Sequence, residues 1–89
     1  MKIDGELVKQ YRLSYWEEAL QVGETIFREE QDLSCAIFNA FSAAHLSRIQ
    51  AAIDWLTYLK ESGRVDMGPI LGSDDFDAIR TDPLFQKFT

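Results

Sequence analysis

Residues 48–62, RIQAAIDWLTYLKES, decide the fold because they predict one helix that is apolar on two sides. With about 3.6 residues per turn, Leu56 and Leu59 fall on one side of this helix, and Trp55 and Tyr58 fall on another. A helix with two apolar faces needs a neighbour on each of them. The stretch therefore predicts a helix sandwiched between a packing partner and a separate cover.

The preceding segment, residues 35–46 (CAIFNAFSAAHL), is predicted to form the packing partner. Asp32 or Ser34 stands where a helix N-cap belongs. Gly63 follows the last apolar turn of the next helix, where a C-terminal cap belongs. The sequence thus predicts two consecutive antiparallel helices, and no segment shows the sustained alternation that is typical of a strand.

The end of the chain, residues 74–88 (DDFDAIRTDPLFQKF), is predicted to supply the cover. Disordered tails are polar, because without apolar surface to bury they cannot offset the entropy lost on ordering. This tail instead carries Phe76, Ile79, Leu84, Phe85 and Phe88. We therefore expect it to fold over Trp55 and Tyr58 as a lid on the helical stack.

The tail is expected to fold in short pieces, each with its own start signal. Pro69 opens a turn, and Asp74 or Asp75 caps a short helix. Asp82 caps a last turn that has Pro83 in its first position. These acids are interpreted as caps, because the glycine and glutamate that a calcium loop starting at Asp74 would need are absent.

The N-terminal third has two interpretations. Two sites fit a capping box, 33 residues apart: Ser14 with Glu17, and Ser47 with Gln50. A period in the low thirties is the length of a helix-turn-helix repeat, which would start a second helix at Ser14. Alternatively, residues 4–30 form one continuous helix with Ser14 exposed on it, since neither glycine nor proline surrounds this serine.

A family resemblance extends this interpretation. Residues 37–63, IFNAFSAAHLSRIQAAIDWLTYLKESG, resemble a tetratricopeptide repeat, and residues 74–88 are similar to the segment that closes many bacterial tetratricopeptide arrays. The resemblance covers about half of the chain. It implies that Ala40 and Ala52 are the small residues where the two helices of a repeat cross. Three positions depart from the family pattern: Asn39, Ala43 and Arg64.

Together these features predict one all-α domain over residues 1–89. We expect a short antiparallel helix-turn-helix stack that resembles tetratricopeptide repeats. Its first helical unit covers residues 1–33, its second covers residues 34–67, and a cap of short helices covers residues 68–89.

The charge distribution argues against several classes of function. The chain has a net charge of -6, from nine basic and fifteen acidic residues, and the acids concentrate in residues 17–32 and 66–82. Without clustered lysine and arginine, we expect no nucleic-acid partner. Without a long apolar run, we expect no membrane partner.

The single cysteine, Cys35, and the lack of a signal-peptide pattern predict a cytoplasmic protein.

Few residues could carry chemistry. His45 is the only histidine and Cys35 the only cysteine, and about 15 Å of helix rise separates them. No second ligand lies at a metal-binding spacing, and no glycine-rich phosphate loop is present. We therefore expect no catalytic site, no metal and no cofactor.

The leading hypothesis is a non-enzymatic protein–protein interaction module: an adaptor, an assembly factor or a small subunit of a complex. In tetratricopeptide repeats the first helix lines the concave groove, so the resemblance assigns partner binding to Ile37, Phe41, Ala44 and His45. Phe38 and Leu46, on the opposite edge, are expected in the core. The alternative is that the tail or the N-terminal helix covers the four binding residues.

Two further hypotheses concern partners. An acidic inhibitor or immunity-type protein would block a basic site with the carboxylates of residues 17–32 and 66–82. A homo-oligomer would form through Tyr11, Tyr15 and Trp16, because helical repeats need about three units and this chain offers two at most. Whether a small molecule binds between the helices stays open.

Overall fold

The computed structural model describes the backbone of residues 5–88 and the side chains of residues 12–88. Over this range the fold is all-α, as predicted, and contains no strand. The helices are α1 (Gly5–Glu30), α2 (Leu33–His45), α3 (Ile49–Ser62), α4 (Met67–Leu71), the 3-10 helix η1 (Asp74–Ile79) and α5 (Pro83–Phe88). Among them, none combines the length and the apolar character that crossing a membrane requires.

α1 is one continuous helix of 26 residues, so the second interpretation of the N-terminal third is right. Ser14 lies exposed in the interior of this helix, where the backbone amides already have partners and a cap has nothing to satisfy. The described part of residues 1–33 is therefore a single long helix and the turn that follows it.

The second expected capping box, at Ser47, is also wrong. Ser47 adopts a left-handed conformation (φ 56°), and its backbone N donates to Ala44 O while the N of Arg48 donates to Ala43 O. These two bonds are the Schellman pattern that ends a helix. Ser47 thus terminates α2, and Arg48 precedes α3 without any side-chain cap. Of the two cap candidates for α2, Asp32 is the cap and Ser34 is not, and the expected cap Gly63 ends α3.

Replacing Ser14 with alanine tests the continuity of α1. In a helix interior alanine is favoured over serine by about 0.5 kcal/mol, so Ser14→Ala should leave the free energy of unfolding unchanged or raise it slightly. Asp32→Ala is the matched control, because Asp32 accepts from the Ser34 amide at 2.7 Å. This control should lose about 1 kcal/mol in urea unfolding. A loss of that size in Ser14→Ala would show that Ser14 is a cap.

Three other elements pack around α2. It packs against α1, α3 and η1, and its core face consists of four fully buried alanines: Ala36, Ala40, Ala43 and Ala44. Small side chains let helix axes approach to about 8 Å, the short end of the usual range. The large core residues therefore come from the neighbours, with Leu20 on α1 and Leu56 on α3 both buried.

The cover over Trp55 and Tyr58 is α1, and the expectation that the tail covers them is wrong. Phe27 packs edge-on against both rings, with centroids 4.8 Å from Trp55 and 5.0 Å from Tyr58. Because α1 is unbroken, its C-terminal half reaches these α3 side chains. α3 is still sandwiched, since α5 packs against it as well as α2.

The tail covers α2 and α3 at a different place. Phe76 of η1 is fully buried, 5.3 Å from the ring of Phe41 on α2 and 5.4 Å from that of Phe85 on α5. Ile79 and Phe85 are buried with it. The apolar tail is therefore part of the core, which explains why it is ordered.

Side-chain caps start each short helix of the tail. Asp82 accepts from Leu84 N at 2.9 Å with Pro83 in the first turn, as expected. α4 differs from the expectation, because it begins at Met67, before Pro69, and Asp66 caps it by accepting from Gly68 N at 3.0 Å. η1 differs from the expectation, because Ser73 caps it rather than Asp74 or Asp75. The carboxylate of Asp75 is thus free for another contact.

Arg80 joins the pieces of the tail. Its guanidinium donates to Ser73 O at 2.7 Å and to Leu71 O at 3.2 Å, and its Nε donates to Asp77 at 3.2 Å. One carbonyl belongs to Leu71, the last residue of α4, and the other to Ser73, the N-cap of η1. One arginine therefore fixes where η1 begins relative to α4.

A pair of phenylalanines, one buried and one exposed, tests the role of the tail. Phe76→Ala removes a fully buried ring and should lower the free energy of unfolding by about 3–5 kcal/mol, a large fraction of the stability of a small domain. Phe38→Ala makes the same chemical change at a ring that is 65% exposed, and should cost under about 1 kcal/mol. Urea unfolding measures both, and equal losses would contradict the tail's place in the core.

Candidate functional site

The four residues predicted to bind a partner all lie on α2, and two of them, Phe41 and His45, contact η1. Ala44 is fully buried, and Phe41 is half-buried against Phe76. Ile37 packs partly buried against the core, and His45 contacts η1 through its ring. The contacts match the alternative in which the tail lies over this face, and they leave little of it accessible to a partner.

His45 is the point where α1, α2 and η1 meet. Its ring stacks on Trp16 of α1, with centroids 4.0 Å apart and planes inclined by 4°. On its other edge, Nε2 lies 2.8 Å from Oδ1 of Asp75. The second oxygen of Asp75 accepts from the Ser73 hydroxyl at 2.7 Å. Ser73 thus contacts the carboxylate and not the imidazole, so this Ser, Asp and His set lacks the serine–imidazole contact of a nucleophilic triad.

The surroundings of Asp75 change its acidity. Burial opposes ionisation of the carboxyl group, but hydrogen bonds from His45 and Ser73 outweigh it, so the pKa of Asp75 falls below its ordinary value of 3.8. A group whose pKa is lower in the folded chain stabilises the fold above the unfolded pKa. It loses that contribution as the pH drops through the folded pKa.

Replacing Asp75 with asparagine tests this contact. At neutral pH, Asp75→Asn should lower the free energy of unfolding by about 1–2 kcal/mol, because it removes a charged hydrogen-bond acceptor. The difference from the wild type should shrink as the pH falls below 3.8, where the wild-type carboxyl is also losing its charge. Asp74→Asn, on the exposed neighbour, should change stability by under about 0.5 kcal/mol at every pH. A pH-independent effect of Asp75→Asn would contradict the ionic role.

An exposed apolar surface lies next to this face of α2, where the Phe38 ring is 6.3 Å from that of Phe41. An open groove of about 600 Å³ runs between α1 and α2. Large apolar side chains stand exposed around it, with Tyr15 at 61%, Val22 at 58%, Ile26 at 40% and Phe38 at 65%. We call it the α1–α2 groove, and it is lined by Tyr15, Ala19, Val22 and Ile26 of α1 and by Cys35, Phe38 and Ser42 of α2.

The floor of the α1–α2 groove is tightly packed and partly polar. Asn39 is buried against Gly23, where any larger side chain would collide with its Oδ1, and that oxygen has no hydrogen-bond partner among the described residues. Cys35 donates from Sγ to Gly23 O at 3.0 Å. Burial, and then the nearby charge of Asp32, raise the pKa of this thiol, so the site does not activate it as a nucleophile.

The charged residues that line the α1–α2 groove are acidic. Glu18 and Asp32 are among its lining residues, and neither lysine nor arginine is. In the described part of the chain, no group of three or more histidine, cysteine or acidic residues is placed to hold a metal ion. The groove is therefore an apolar surface with an acidic rim.

The structure places one of the groove residues differently from the sequence prediction. The sequence predicts Phe38 in the core, and it is exposed instead. Val22 and Ile26 belong to an apolar stripe on α1 that is separate from the stripe of Leu20 and Phe27 facing the core. The presence of two separate apolar stripes on α1 is the sequence signal that indicates a second apolar surface on this helix. Of the residues expected at an oligomer contact, Tyr15 lines the groove, Trp16 stacks on His45, and the side chain of Tyr11 lies outside the described residues.

Comparison of the chain with protein-family models, with curated proteins and with solved structures found no match. The resemblance to tetratricopeptide repeats therefore rests on the residues quoted above and stays a prediction. The candidate site has to be interpreted from its own geometry and chemistry.

Proposed function

We propose that this protein is a non-enzymatic protein-interaction module whose binding surface is the α1–α2 groove. The observation that carries the proposal is the cluster of four large apolar side chains exposed around one groove. Apolar residues scattered singly over a surface need no explanation, whereas a contiguous exposed patch marks an interaction site. An adaptor, an assembly factor or a small subunit of a complex would each use such a patch.

The shape of the groove favours a helix as the bound segment. Its two walls are the helices α1 and α2, which run side by side, and the apolar residues of α1 recur at positions 15, 19, 22 and 26. A row with this spacing forms a straight ridge beside a channel, to which the apolar stripe of another helix is complementary. The site is therefore a helix-binding site in which Phe38 and Val22 flank the bound segment.

A second candidate function is the acidic inhibitor that blocks a basic site. It is favoured by the exposed carboxylates of Glu24, Glu29 and Glu30 on α1, which form no ion pair within the described part of the chain. Binding through these groups would weaken steeply with salt, because exposed charges are screened over about 8–10 Å at physiological ionic strength. Binding through the apolar groove would be much less sensitive. For either function, the lone cysteine favours a cytoplasmic location.

Photo-crosslinking tests the proposed surface. Phe38 is replaced by the photo-reactive residue benzoylphenylalanine, and Leu84, which is 46% exposed on the tail, is replaced in the same way as the control. In cells that express the protein, irradiation should give protein adducts from position 38 and few from position 84. Adding Val22→Glu should reduce the adducts at position 38 by about tenfold or more, since charge at the centre of an apolar contact is costly.

Two results would contradict the proposal. Equal adducts from positions 38 and 84 would show that the groove is not a preferred surface. Adducts at position 38 that survive Val22→Glu but disappear in high salt would favour the acidic-inhibitor function instead. Circular dichroism of each variant checks that the helices are intact.

A further inference from the structure

We propose that the segment bound in the α1–α2 groove is the α1 helix of a second copy of this chain, in a two-fold symmetric antiparallel dimer. The proposal rests on the proposed function, because it names the partner for the same groove. Three features of the described residues carry it: the spacing of the apolar row, the place of two unpaired charges, and the position of Phe38.

The apolar row on α1 is complementary to itself when reversed. Tyr15, Ala19, Val22 and Ile26 are separated by four, three and four residues, so the row reads the same from either end. An antiparallel pair centred between Ala19 and Val22 places each Tyr15 opposite Ile26 of the other copy and each Ala19 opposite Val22. Two-fold interfaces require this kind of self-complementary surface.

The large and small side chains also alternate correctly in this arrangement. Across an antiparallel pair, the small Ala19 meets the branched Val22, and the contact is filled evenly along the helices. In a parallel pair each residue would lie level with its own copy. Ala19 would then face Ala19 while Tyr15 faced Tyr15, leaving a gap beside a crowded contact.

Charge complementarity supports the same register. Arg12 and Glu30 are both exposed and form no ion pair among the described residues. They are 18 residues apart, which is about five helical turns, so both lie on the same flank of the apolar row. In an antiparallel two-fold pair the same flanks face each other. Arg12 of one copy then lies within about 1.5 Å, along the axis, of the level of Glu30 of the other.

Phe38 completes the contact from α2. Phe38 directly precedes Asn39, which packs against Gly23, so its level lies in the half of the apolar row that contains Val22 and Ile26. Because α2 lies on the same flank of both α1 helices in the dimer, the two Phe38 rings close over the contact from one side. A residue that is 65% exposed in the single chain thereby gains a cover.

Sedimentation equilibrium tests the dimer with the full chain. The wild type should show twice the 10.2 kDa chain mass at micromolar concentrations, and Val22→Glu should show 10.2 kDa. The control Leu84→Glu, at an exposed apolar residue outside the groove, should remain dimeric. A monomeric wild type, or a dimer that tolerates Val22→Glu, would overturn the proposal.

Exchange of the two charges tests the antiparallel register. Arg12→Glu alone places two carboxylates together at each end of the dimer, and Glu30→Arg alone places two cations together. Each single variant should dimerise about threefold to tenfold more weakly at low salt. A mixture of the two single variants pairs opposite charges at both ends, so heterodimers should be favoured over either homodimer. Random mixing of the two variants would overturn the antiparallel register.

The failure of this inference can be told apart from failure of the proposed function. If adducts at position 38 contain a different protein and the wild type sediments as a monomer, the groove is a binding site and the dimer is wrong. If position 38 gives no adduct of any kind and the wild type is monomeric, both proposals are wrong. Adducts with twice the mass of the chain would support both.

Discussion

The structure depends on the close packing of the alanine face of α2. Ala36, Ala40, Ala43 and Ala44 have no exposed surface, and around them lie α1, α3 and η1. Alanine itself buries little area, so the stabilisation comes from the large side chains that it admits, among them the rings of the tail. A small domain can bury only about 60% of its unfolded surface. Because α1, α3 and η1 all pack on the same narrow helix, each of them buries apolar side chains there in spite of that limit.

Polar contacts determine the position of the tail on α2. His45 joins Trp16 of α1 to Asp75 of η1, and Arg80 ties the end of α4 to the start of η1. Apolar contacts alone are non-directional and would tolerate a shifted tail. Hydrogen bonds in which one partner is charged require particular distances and angles, so they select one position. This division of roles explains why a segment made of short helices is well ordered.

The α1–α2 groove has a different origin. Packing of the chain requires only one apolar stripe on α1, the one that contains Leu20 and Phe27. The second stripe, with Tyr15, Val22 and Ile26, contributes little to the core and carries the cost of exposed apolar surface. Its place beside the exposed Phe38, and its symmetric spacing, are the reasons to interpret it as a surface for another helix rather than as a part of the fold.

The sequence by itself determined the helical class, the antiparallel pairing of α2 with α3, the cap at Gly63, and the folding of the tail into short helices. These features depend on residues close together in the chain, through periodicity and local hydrogen bonds. Only the tertiary structure decided that Phe27 covers Trp55, that the tail lies over Phe41, and that Phe38 is exposed. Apolar side chains are interchangeable as packing partners, so their pairing follows from the length and direction of the helices. The continuity of α1 set that length, and the sequence had left it open because Ser14 suits a cap and an exposed helix position equally.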